Sequence, residues 1–356
     1  MNGLKKVTAL SCALGIAGCA LVGYSLSRGS GVAELTAQSL IEKKRGNLVT
    51  AQKKLKEALA IQEAASKEDA ATVAILDELG SIAASQGRSA ESLRYFERSR
   101  LMNGRLMKPH LLVAATSLTG LGEALTESGQ YEKAENVLQE ALTIRENNLE
   151  ANSVDVAETR DALARLYSAA GYYVQAEALF KQALASLDQY PERKAEVLNN
   201  FGACLFNQGG LSFAREKFIS ALSLLKGEGF KNSLVKANIL TNLAEVERRM
   251  DSPKSAEGRL SEALAIYEKR LDADSPVLAN AYNNLALVLR YQGRMQEAEP
   301  LYKKSIAIYD KVGGDGDGQK NSSLKNVMRN YAELLSATGR TDEAENLRRK
   351  AAKSTG

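Results

Sequence analysis

A short string returns along this chain at an almost constant period. It stands as Gly293 leading to Ala298 and Glu299, as Gly129 leading to Ala134 and Glu135, and as Gly339 leading to Ala344 and Glu345. The small residue five places after each turn falls at Ala51, Ser92, Ala134, Ala176, Ala214, Ala256, Ala298 and Ala344. The spacings are 41, 42, 42, 38, 42, 42 and 46 residues. A unit of that length cannot bury an apolar face by itself, so neighbours must stack and share one continuous core built from local contacts.

Each unit reads as two helices, A and B. Eight residues before the turn stands Leu79, Leu121, Leu163, Phe201, Leu243, Leu285 or Tyr331, and the next residue is always Gly or Ala. A large residue beside a small one lets a second helix approach closely. The turn residue is glycine except at Asp251, as suits a helix that ends in a left-handed conformation. Helix B carries small, large and small residues at helical spacing, as in Ala134, Leu138 and Ala141. Eighteen residues before the turn, Asp69, Ser153, Ser233, Ser275 and Asn321 are N-cap types, and Pro276 follows Ser275 at the first helical position.

Composition agrees and narrows the chemistry. Of 356 residues, 44% are hydrophobic and 25% charged, with no Trp and 5 Pro, a mixture that favours helix over a β-sandwich or barrel. The net charge of +4 comes from 47 basic and 43 acidic residues and gives no reason to expect nucleic acid. His110, the single imidazole, reads as a surface or capping residue at a helix start, so no Ser-His-Asp set or HExxH motif is available. Two of the three Cys, Cys12 and Cys19, lie near the start, which leaves Cys204 alone in the body as a small core residue. Catalysis, a metal site and a cofactor are not expected.

The stretch from Leu271 to Pro276 leading into Val277 through Ala286, with the turn and helix B pattern after it, resembles the tetratricopeptide repeat. It is most similar to the 42-residue form found in kinesin light chains. The resemblance implies an all-α fold, a right-handed α-solenoid superhelix of about seven to eight helical hairpins with helix A lining a concave face. Seven units run over residues 69–356, and residues 32–66 read as a degenerate first unit turning at Gly46. The long 46-residue spacing holds a loop insertion, Gly313 to Gly318. Proteins with this repeat mostly bind other proteins, commonly an extended peptide in the groove. That implies a non-catalytic scaffold with a protein or peptide partner. The alternative is an envelope assembly or secretion factor resembling repeat-containing lipoproteins.

Residues 1–26 differ from the rest. Lys5 and Lys6 precede Val7 to Leu26, which carry no charge. Ile16, Ala17, Gly18 and Cys19 look like the lipobox of bacterial lipoproteins, which implies cleavage before Cys19 and lipidation of its thiol. The same run is long enough, at about 1.5 Å per residue, to span a bilayer as an anchor. Either reading tethers the chain to a membrane and places the repeats outside the cytoplasm, in the cell envelope and periplasmic if bacterial. Residues 27–31 read as a linker.

A candidate binding surface follows from residues that a helix does not choose for its own sake. Just before the large helix A residue, four successive units carry Asn200, Asn242, Asn284 and Asn330. Four residues earlier, three units carry Asn238, Asn280 and Asn326, one turn away on the same face. Each Asn costs roughly 0.5–0.7 kcal/mol against Ala in a helix interior. Their amides suit the backbone of an extended peptide, or else bridge adjacent repeats. Earlier units have Glu78, Gly120 and Ala162 there, which confines the expected groove to the C-terminal half. Arg248 and Arg290, further along two of these helices, add charge for an acidic ligand.

Overall fold

The computed structural model describes residues 30–86, 88–106, 110–312 and 318–353. Among them are sixteen α-helices, one short 3-10 turn and no strand. The chain forms two compact units, residues 1–171 and 172–356. The first holds α1 (Ser30–Arg45), α2 (Leu48–Ala64), α3 (Ala70–Ser85), α4 (Ser89–Arg105), α5 (Leu111–Glu127), α6 (Tyr131–Asn148) and α7 (Val154–Ala169). The second holds α8 (Tyr173–Ala185), α9 (Pro191–Asn207), α10 (Leu211–Leu224), α11 (Leu234–Arg249), α12 (Pro253–Arg270), α13 (Pro276–Tyr291), α14 (Met295–Val312), α15 (Gly318–Ala337) and α16 (Thr341–Lys353).

Within each unit, consecutive A and B helices pack as hairpins. The small residue after every turn, from Ala51 to Ala344, is 0% exposed. Its partner one turn later is the knob that enters the facing helix. A Cβ on Gly122 of α5 would stand 2.3 Å from Leu138 Cγ of α6, and one on Gly202 of α9 2.7 Å from the Phe218 ring of α10. Gly80 meets Phe96 in the same way, and the other side of that ring lies where a Cβ of Gly120 would be, at 2.3 Å. Gly120 therefore stands at a position held by asparagine further along because Phe96 fills the space.

The turns follow the expected chemistry. Gly129 takes φ +75° and Gly339 +78°, while Asp251 accepts +55°, a conformation that short polar side chains tolerate. Asp69 Oδ1 accepts from the Thr72 amide at 2.9 Å, and Ser153 and Ser233 cap α7 and α11 with hydroxyl oxygens. Ser275 and His110 occupy cap positions without a side-chain cap bond, and Pro276 opens α13. Asn321 departs from expectation: it lies inside α15, which begins at Gly318. Gln319 and Lys320 are good helix formers, and the helix runs back through them past the expected cap. Gly318, expected in the loop insertion, is thus helical, and 313–317 lie outside the described residues. Ser30 and Gly31, expected in the linker, belong to α1; residues 1–29, with the leader, Cys12 and Cys19, lie outside the described residues.

Successive A helices also touch each other: α3 packs on α5 and α5 on α7, while α9 packs on α11 and α13 on α15. Arginines at the turns clamp adjacent hairpins. Arg340 reaches Glu299 of the preceding hairpin at 2.9 Å and Glu343 of its own at 2.7 Å. Bonds from Lys303, Arg340 and Tyr331 hold the Glu299 carboxyl down at about 2.

The first unit buries two ionisable side chains whose hydrogen bonds go to neutral groups. Arg145 of α6 is 3% exposed and donates only to neutral groups: the Asp155 carbonyl and Thr159 Oγ1 at 2.6 Å each, and Thr116 Oγ1 at 3.3 Å. Asp77 of α3 accepts from Ser117 Oγ at 2.7 Å, while its Oδ1 is buried without a partner. Burial pushes the Asp77 carboxyl up to about 7 from its usual 3.8.

Two outcomes are expected. Gly122→Ala drives a methyl into Leu138 and destabilises α5–α6 by about 1–3 kcal/mol; Gly122→Ala with Leu138→Ala costs less than the two single losses sum to, read by urea unfolding of all three variants. Between pH 4 and pH 7 folded Asp77 keeps a proton that unfolded Asp77 has released, so stability falls as pH rises through this window and levels off above it. Asp77→Asn abolishes that slope and stabilises the first unit at pH 8 by at most about 4 kcal/mol; hydrogen exchange of the α3 amides at pH 5 and pH 8 measures it.

Candidate functional site

The expected asparagines fall on α9, α11, α13 and α15, the A helices of the second unit. They separate into two kinds. Asn238, Asn280 and Asn326 are exposed, whereas Asn200, Asn242, Asn284 and Asn330 are half-buried. The half-buried set includes members that bridge neighbouring hairpins through residues the sequence reading passed over. Asn242 Nδ2 donates to Asn199 Oδ1 at 2.8 Å, and Asn330 Nδ2 donates to Asn283 Oδ1 at 3.0 Å. Asn283 in turn donates to Asn284 Oδ1 at 3.2 Å. The doublets Asn199–Asn200 and Asn283–Asn284 were the available signal, because only one residue of each can point the same way.

The exposed set is held differently. Tyr267 OH of α12 donates to Asn238 Oδ1 at 2.6 Å, and Tyr309 OH of α14 donates to Asn280 Oδ1 at 2.8 Å. Desolvation raises both phenols, Tyr267 to about 12, so they remain protonated donors. The bonds fix which way each amide faces: the Nδ2 groups of Asn238, Asn280 and Asn284 and the Oδ1 atoms of Asn242 and Asn330 have no protein partner among the described residues. Asn326 is exposed with no side-chain hydrogen bond among them. The face therefore offers both donors and acceptors at set positions.

Arg248 and Arg290 lie at the ends of α11 and α13, each already paired. Arg248 grips Glu245 with two bonds of 2.7 and 2.8 Å, and Arg290 meets Glu333 of α15 at 2.8 Å. Both guanidinium groups also stand over the ring of Tyr291, at 5.3 and 5.2 Å from its centroid. Tyr291 is 60% exposed. Beside Arg248, between α11 and α13, lies a narrow crevice of about 20 Å³, room for about one water molecule. Among the described residues no group of three or more His, Cys, Asp or Glu is placed to hold a metal ion, and no helix is long and apolar enough to cross a membrane.

Paired helices meeting through small residues, stacked with A against A, define a helical-hairpin repeat protein. A tetratricopeptide repeat model matches residues 113–189, 193–269, 235–311 and 277–354, and the chain belongs to that family. In fold it is similar to the apo quorum sensor NprR from B. thuringiensis, with TM-score 0.62 and 15% identity over 99% of this chain and 96% of that one. It is also similar to BtubC (BKLC) from P. vanneervenii, with TM-score 0.53 and 20% identity over 68% and 91% of the two chains. A third is the Rap conjugation gene regulator of the plasmid pLS20 in complex with the Phr* peptide, with TM-score 0.57 and 15% identity over 80% and 73%. No curated protein sequence matches the chain.

The two kinds of asparagine respond differently to truncation. Asn242→Ala leaves the Asn199 carbonyl unpaired and lowers stability by about 1 kcal/mol, whereas Asn326→Ala changes it by less than about 0.5 kcal/mol; paired urea melts measure the contrast.

Proposed function

We propose that this protein is a non-catalytic interaction scaffold that holds an extended peptide segment of a partner protein against the A-helix face of its second unit. The observation that carries this reading is the row of asparagines whose inner ends are tied to neighbours while outer donors and acceptors stay open. An extended backbone presents one N–H and one C=O per residue, and a fixed amide row meets both kinds. Anchoring the amides in advance lowers the entropy lost when a ligand orders them. The Rap regulator, which has the same fold, was solved with a peptide bound. At 15% identity the likeness carries the fold alone, and peptide capture comes to this chain as our reading. Nucleic acid is not part of it.

The reading includes a membrane tether at residues 1–26, through lipid on Cys19 or through the uncharged run as an anchor. It places the repeat body in the cell envelope, outside the cytoplasm and periplasmic in a bacterium. The sequence alone supports this part.

Asn284→Ala combined with Asn326→Ala is expected to lower stability by no more than about 1 kcal/mol, because the Asn283–Asn284 bond is lost and Asn326 makes none. In crosslinking pull-downs from source membranes, capture of partners falls at least about tenfold. Intact capture by that variant overturns the groove. For the tether, Cys19→Ser abolishes lipid labelling and leaves an unprocessed precursor if the thiol is lipidated. Unchanged mass and membrane residence select the anchor, and a chain that is soluble in both forms removes the tether.

A further inference from the structure

The outer row of the asparagine face is set to donate. Asn238, Asn280 and Asn326 stand thirteen residues before their turns on α11, α13 and α15, and all three are exposed. Tyr267 OH holds Asn238 Oδ1 at 2.6 Å and Tyr309 OH holds Asn280 Oδ1 at 2.8 Å, so each amide turns its NH2 group outward. Both tyrosines are 3% exposed and come from the B helices behind, which keeps the phenols in place. On α9 the same register holds Glu196, which Arg193 meets at 2.8 Å, so the row begins at α11. Two locked donors on neighbouring helices read carbonyl oxygens and leave backbone N–H groups unread.

The spacing of the row is that of the repeat. Arg248 of α11 stands 5.3 Å from the centroid of the Tyr291 ring of α13, so these helices are neighbours, and packed helices run about 8–10 Å apart. Carbonyls that point the same way along a β-strand recur every second residue, about 6.4–6.8 Å, and fall out of step with such a row. A polyproline II helix has three residues per turn and about 3.1 Å per residue, so its carbonyls return to one side about every 9 Å. One turn of that ligand spans one repeat. It has no internal hydrogen bonds, and proline carries a carbonyl without an N–H, which is what a donor row requires.

Apolar contacts flank the donors. Val277 stands three residues before Asn280, one helical turn away on the same face, and is 36% exposed. Val235 stands at the same place before Asn238 and is half-buried. Further in, Asn242 turns an open Oδ1 toward the face, which suits the N–H of a ligand residue that is not proline.

We infer that this face selects a proline-rich segment in the polyproline II conformation, with proline at every third residue, laid across α11, α13 and α15. Asn238 and Asn280 donate to carbonyls one ligand turn apart, and the pyrrolidine rings cover Val235 and Val277. The preformed ligand loses little freedom on binding, as the preformed amides do. This inference rests on the peptide-binding reading above.

The test uses the full chain and three immobilised libraries of uncharged twelve-residue peptides. One has proline fixed at every third position, one has proline at every second, and one has no proline; all other positions are random. The first library is expected to be retained at least about tenfold better than either of the others. Asn238→Asp with Asn280→Asp keeps an acceptor for each phenol and removes the outward donor, so it erases that preference. Tyr267→Phe with Tyr309→Phe keeps both rings, frees the amides to turn, and lowers the preference at least about threefold. Melting curves check that the variants fold, and if one does not, the three libraries on the unaltered chain decide the matter. Retention of the second or third library equal to the first, or an undiminished preference in the folded aspartate variant, overturns the inference and leaves the peptide-binding reading standing. A chain that retains none of the three libraries overturns that reading and the inference with it.

Discussion

The close approach of helix A to helix B is the contact on which the other features depend. It requires a small residue on one helix opposite a large knob on the other, as with Gly122 and Leu138 or Gly202 and Phe218. No side chain can be interposed at those distances, so the pairing sets the helix spacing and the register together. With the hairpin fixed, the remaining apolar face of each pair has no partner except the next pair. Direct contact between successive A helices follows, and with it a shared face on which side chains from several repeats meet.

Each unit carries a polar seam between its own successive A helices. In the first unit it is short and buried: Ser117 donates to Asp77, and Thr119 and Thr159 hydroxyls lie 3.4 Å apart. In the second unit the seam is made of asparagines, with Asn242 reaching Asn199 and Asn330 reaching Asn283. The Ser117, Thr119 and Thr159 hydroxyls and the Asp77 carboxyl are buried, so none of them faces a ligand. An amide has a donor end and an acceptor end, so bridging uses one and leaves the other open. The property that lets asparagine tie repeats together therefore also lets it face a ligand. Structural and binding roles are not alternatives at these positions, although a sequence reading has to treat them as such.

The period, the small residues after the turns, the left-handed glycines and the caps at Asp69, Ser153 and Ser233 were all legible in the sequence. Each is a local rule: backbone conformation and nearest-neighbour packing decide it within one unit, and repetition reports it several times over. The start of α15 was not legible, because helix propensity in Gln319 and Lys320 competes with the cap signal at Asn321 and the sequence does not say which prevails. The candidate face was legible as a set of asparagines on A helices. Its wiring was not. Asn199 and Asn283, the phenols of Tyr267 and Tyr309, and the stacking of Arg248 and Arg290 on one tyrosine join residues 26 or more positions apart, except where they are immediate neighbours. Sequence determined which residues could share a face, since that depends only on helical periodicity. Tertiary structure alone decided which end of each amide is spent, because that depends on the distance and angle between side chains that different repeats bring together.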